Sequence, residues 1–244
     1  MPHNRFCSGC LAVLLALVVA PWPSWAVDDP PDVEINPQSG LIEVTDAFLD
    51  GGDYEIRHVV KPNSGPALVE TVLTSDAAGD LGSRIDIKSD GETWVVWWRD
   101  STTDEVLYRV RDYQTGAWTA EARISTPGVG SRHPEIVHDG TKTWVAFEAD
   151  AVSATAIAVS ATNDGAEPFP TVTIVGATLF TGNPDVLIES VLGHVWITWV
   201  DSAEKVAWSE YDHGTGLWSE PLLESYAEKA EDAREIIRST VLGP

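Results

Sequence analysis

The sequence predicts an all-β fold, a β-propeller of about four four-stranded blades with a C-terminal helix. Three observations predict it. The chain repeats at a period of about 50 residues, over roughly 31-75, 83-125, 131-175 and 182-225. The stretches "TWVVWWRD" and "VWITWVD" are apolar on both alternating faces, as strands covered on two sides are. Gly and Trp recur in register with the repeat, and a unit that cannot bury both faces alone must stack on its neighbours.

Residues 1-26, "MPHNRFCSGCLAVLLALVVAPWPSWA", read as a secretory signal peptide, with Arg5, an apolar run from Leu11 to Ala20, and small residues Ser24 and Ala26 before the expected cleavage point. The run is short for a membrane span. The chain is therefore expected to be secreted or periplasmic, with no membrane insertion after cleavage. Cys7 and Cys10 both lie in this leader, which leaves the exported chain without disulfide or thiolate chemistry. The full chain has a formal charge of -23, and losing Arg5 leaves 14 basic against 38 acidic residues, or -24. Such a surface repels nucleic acid and anionic membranes.

The domain is expected over 27-225. Its first repeat, "PDVEINPQSGLIEVTDAF", matches "PDVLIESVLGHVWITWVD" of the fourth, with Gly40 and Gly193 each nine residues past the Pro. The second and third repeats carry Asp90-Gly91 and Asp139-Gly140, tight hairpin signals between first and second strands. All but two of the 11 Trp lie after the leader, where they fill space between blades. In the tail, 226-244, Tyr226, Ala230, Ala233 and Ile237 recur at helical spacing, which reads as one amphipathic helix covering an edge.

"DYQTGAW" and "DHGTGLW" fall in the hairpin between third and fourth strands, two repeats apart. Asp112 and Asp212 accept backbone N–H groups there, Gly116 and Gly216 take positive φ, and Trp118 and Trp218 pack beneath. This resembles the Asp-box (BNR) repeat of sialidase-like bacterial propellers, Ser/Thr-x-Asp-x-Gly-x-x-Trp, with one extra residue between Asp and Trp. The first and third repeats lack it ("KPNSGPAL", "ATNDGAEPF"). The resemblance implies that these hairpins are structural and lie opposite the working face.

The opposite face gathers the loops entering first strands and those leaving second strands. Entering loops carry Arg84, Arg132, His133 and Asn183; leaving loops carry Asp46, Asp50, Arg99, Asp100, Glu148, Asp150 and Asp201, with Trp97 and Trp199 just below. Arginines, carboxylates and indole rings together suit carbohydrate recognition. The structural reading of the same residues stands beside it. Arg84 and Arg132 would salt-bridge acidic loops, Asp100, Asp150 and Asp201 would be ordinary loop acids, His133 would bond a carbonyl, and Trp97 and Trp199 would be core.

Nothing suggests a cofactor or a metal, since no HExxH, Walker loop or dinucleotide glycine run occurs and His58, His138, His194 and His213 are scattered. The expectation is a non-catalytic binding module or scaffold for glycan or an extracellular protein. One alternative is a small sialidase-like glycoside hydrolase, with Arg84, Arg132 and Arg99 forced into an arginine triad or Asp150 and Asp201 as paired carboxylates. Another is a pure protein-interaction platform. Self-association to complete a larger ring is the alternative to a closed four-blade ring.

Overall fold

A computed structural model describes residues 30–62, 68–151, 154–163, 169, 172–178, 187–191, 194–200 and 206–224. The leader, the tail expected to be helical, Asn183 and Asp201 lie outside the described residues. Every described element is a strand. Blade one is β1 (Asp32–Ile35), β2 (Ile42–Asp50), β3 (Asp53–Lys61) and β4 (Val69–Val72); blade two is β5 (Gly79–Ile87), β6 (Thr93–Asp100), β7 (Glu105–Arg111) and β8 (Ala122–Arg123). Blade three is β9 (Ser131–His138), β10 (Lys142–Ala151), β11 (Ala154–Asn163) and β12 (Val172–Thr178). Blade four is β13 (Leu187–Val191), β14 (His194–Val200) and β15 (Val206–Asp212), whose outer partner is split into β16 (Leu217–Trp218) and β17 (Leu222–Glu224).

Each blade is an antiparallel meander in chain order, so the propeller expected from the repeat is the fold. Successive blades meet through their first strands: β5 packs on β1, β2 and β3, β9 on β5, β6 and β7, and β13 on β9 and β10. The two-sided apolar strands lie where the pattern places them. Val95 and Trp97 point into the layer between blades one and two with Ile56 and Leu107, whereas Val96 and Trp94 join Phe147, Ala158 and Phe169 between blades two and three. Trp144, Ile197 and Trp199 fill the layer between blades three and four.

Turn chemistry holds the meanders. In the two Asp-Thr-Gly-Trp hairpins, Asp112 and Asp212 carboxylates accept the N–H and hydroxyl of Thr115 and Thr215, and Gly116 and Gly216 sit at φ +70° and +72°, a region where a Cβ is strained. Backbone donors, from Thr115 to Asp112 and from Gly214 to Asp212, lower both pKa values.

Candidate functional site

The face that gathers first-strand beginnings and β2–β3, β6–β7 and β10–β11 turns carries two charged clusters. The first is built on β9 and β10. Consecutive strand residues normally project to opposite faces, yet Arg132 and His133 both engage β10 carboxylates. His133 has φ +50°, the one positive φ at a non-glycine among the described residues, and the register shifts between Ala146 and Glu148. This bulge turns both side chains to one side.

There Arg132 Nη2 lies 2.9 and 3.1 Å from the two oxygens of Asp150, and His133 Nδ1 lies 2.9 Å from Glu148 Oε1. Glu148 and Asp150 are two residues apart on one strand, so they share a face with Cα atoms about 6.7 Å apart. Their environments differ sharply: the Glu148 side chain is 6% exposed and that of Asp150 50%. The Trp98 ring stands edge-on to His133 at 5.7 Å. Arg132 also reaches Asp104 of the β6–β7 loop at 3.8 Å, and Ser131 N–H donates to the Asp104 carbonyl, which ties the cluster to blade two.

The second cluster closes blade one on blade two. Arg99 pairs with both oxygens of Asp80 (2.9 and 3.1 Å), with Glu121 and with Asp76, while Trp97 Nε1 donates to Asp80. Thr74 donates to Glu55 at 2.6 Å and receives the Ile56 N–H. Burial pushes both Glu55 and Asp80 above the ordinary carboxylate range, and neighbouring acids reinforce it. Sequence reading missed Glu55, Thr74 and Asp80, because a single polar residue in or beside a strand gives no sign that it will be buried against another blade.

The remaining sequence candidates scatter. Arg84 Nε binds Glu135 at 2.7 Å, joining the inner strands of blades two and three. Arg84, Arg99 and Arg132 thus engage three different carboxylate sets and form no common anion site, which removes the arginine-triad arrangement. Trp97 and Trp199 are 0% and 2% exposed, and as core residues they offer no ring to a ligand, a correction to their reading as sugar platforms. Asp46 pairs with Arg57 at 2.6 Å, and Asp50 and Asp100 are exposed. Among the described residues no group of three or more His, Cys, Asp or Glu could hold a metal ion.

No protein family matches the chain, and no curated protein matches it. Solved structures do resemble it. One is an exo-1,5-alpha-L-arabinanase from a bovine ruminal metagenomic library, 12% identical over 83% of this chain and 82% of that one, TM-score 0.50. Another is the Cellvibrio cellulosa alpha-L-arabinanase complexed with arabinohexaose, 13% identical over 84% and 82%, TM-score 0.51. A third is the NanB sialidase from Streptococcus pneumoniae, 6% identical over 85% of this chain and 54% of that one, TM-score 0.55. At these identities the likeness shows the fold. The expectation of a non-catalytic module or scaffold is corrected on this finding, since the similar propellers are named as arabinanases and a sialidase.

Proposed function

We propose that the chain is a glycoside hydrolase whose working carboxylates are Glu148 and Asp150. One observation carries the reading. The bulge at His133 sets two carboxylates on one side of β10, one buried against an imidazole and one solvent-reaching beneath a guanidinium. Glycosidic bond cleavage needs such an asymmetric pair, one group to protonate the leaving oxygen and the other to attack or to activate water. Backbone strain of this kind persists at working sites because the surrounding structure holds it in place.

Glu148 takes the acid role: His133 Nδ1, in contact with its carboxyl, relays a proton to it, and it passes that proton to the leaving-group oxygen. Asp150 takes the opposing role, as the base or nucleophile held in place by Arg132. Glycan is the substrate class, and neutral arabino-oligosaccharides are the first to try, given the named activity of the similar arabinanases. The Asp-Thr-Gly-Trp hairpins then stand as Asp-box-like locks on the far face, and the leader directs the enzyme outside the cytoplasm.

The test is hydrolysis of a panel of aryl glycosides and oligosaccharides by the protein and by Glu148→Gln and Asp150→Asn. Glu148→Gln should lose about 10²-fold or more on oligosaccharides, whose leaving groups need protonation, and much less on activated aryl glycosides. Asp150→Asn should lose on both. Binding of glycans without any turnover, or undiminished turnover by both variants, would overturn the proposal.

A further inference from the structure

The wedges between blades, seen from the hairpin face, are filled in three different ways. Across second and third strands Glu43 pairs with Val60, Trp94 with Val110 and Trp144 with Ala161, so these three hold one repeat position. Arg111 and Tyr211 also correspond, each preceding the Asp of its hairpin, as do Trp118 and Trp218.

Between blades one and two the wedge is plugged. Buried Glu43 receives His58 at 2.8 Å and Thr93 at 3.0 Å, lies 3.7 Å from Arg111, and Trp118 stands edge-on to His58. Between blades two and three Trp94 stacks on Tyr108 at 5.4 Å, and Phe169 stands edge-on to both. Between blades three and four the same positions leave a cavity of about 480 Å³.

Two partly exposed rings, Tyr211 and Trp218, 5.4 Å apart, wall it, and the buried Trp144 backs them at 4.5 and 5.7 Å. Lys142 Nζ lies 5.1 Å from the centroids of both Trp144 and Tyr211 and 3.3 Å from the Tyr211 hydroxyl, and it forms no ion pair with any described residue. Glu220 lines the cavity on the side of the fourth-strand segment, beside Leu217, which is 66% exposed.

We propose that this cavity is a neutral-saccharide subsite. Ring walls accept the C–H face of a sugar, and an ammonium donor with a carboxylate acceptor matches hydroxyls, which both give and take hydrogen bonds. The volume falls in the range of small-ligand pockets. Glu220 and the chain's charge of -23 select against acidic sugars. The subsite lies on the hairpin face, away from Glu148 and Asp150, so it serves to hold a glycan chain whether or not the proposed hydrolysis occurs.

Calorimetric titration of the full chain carrying Glu148→Gln, in which the proposed hydrolysis is slowed about 10²-fold or more, tests this with arabinohexaose, xylohexaose and trigalacturonate. At least one neutral hexaose should bind. Trp218→Ala should abolish the binding that this cavity contributes, and Lys142→Met, which keeps the aliphatic stem and breaks no ion pair with a described residue, should weaken it about tenfold or more, some 1.4 kcal/mol. Undiminished binding in Lys142→Met, no heat with either neutral hexaose, or heat with trigalacturonate alone would overturn the proposal. Failure of the hydrolase reading would appear in the turnover assay and leave this titration unaffected.

Discussion

Asp86, on the innermost strand of blade two, should destabilise the fold at neutral pH, and Asp86→Asn should reveal by how much. Its Oδ1 accepts the Ile87 N–H, while Oδ2 is buried without a hydrogen-bond partner. Burial pushes its pKa from 3.8 to about 6; backbone donors and His138 pull it down and the Asp32 carboxylate pushes it further up, but burial prevails. Between those two values the unfolded chain has given up its proton and the folded chain has kept it, so rising pH favours unfolding. The stability present below about pH 4 is therefore lost as pH passes through the folded value. The full difference of roughly two pH units corresponds to about 3 kcal/mol at pH 7. Asparagine removes the charge but places an unpaired NH2 where Oδ2 was, at a cost of about 1 kcal/mol or more. Asp86→Asn should thus be less stable than the parent at pH 4 and more stable by about 1–2 kcal/mol at pH 7. Urea unfolding followed by tryptophan fluorescence at pH 4, 5, 6 and 7 measures both. A difference between variant and parent that stays constant over that range would refute the reasoning.

Glu43 should show the opposite pH dependence. Burial alone would raise its pKa, but hydrogen bonds from His58, Asn36 and Thr93 more than reverse this and hold it below the ordinary value, so its contribution is present at neutral pH and lost as pH falls through the folded value. Glu43→Gln should cost about 1–3 kcal/mol at pH 7 and progressively less in acid, as read from the same urea curves. At Gly130, an added Cβ would overlap the Asp150 carboxylate, so Gly130→Ala must push that group off Arg132. Hydrolysis should fall by up to about 10²-fold while the unfolding midpoint barely moves, and an equal loss of both would mean that the loop, not the carboxylate, was disturbed.

The repeat made the architecture legible. Asp90-Gly91 and Asp139-Gly140 marked hairpins between β5 and β6 and between β9 and β10, and the apolar alternation of "TWVVWWRD" marked a strand covered on both sides. Site candidates were legible as a face more than as a set. Arg132, His133, Glu148 and Asp150 come together; Arg99 and Arg84 are drawn into separate ion pairs, and Trp97 is core. Alternation says which residues share a side only while the ladder is regular, and the bulge at His133 breaks it at the position that matters.

What the sequence by itself determined was the number of units, their strand order and the turns that join them. These follow from hydrogen-bonding period, apolar alternation and glycine placement, all expressed within about a dozen neighbouring residues. Only the tertiary structure decided which carboxylate each arginine meets, why Arg132 and His133 face the same way, and that one of three equivalent wedges is open while the others are plugged by Glu43 or by the Trp94–Tyr108 stack. Those outcomes depend on contacts between residues 15 to 69 positions apart in the chain, and the same Trp at one repeat position gives a filled wedge at Trp94 but borders a cavity at Trp144, according to the side chains that meet it.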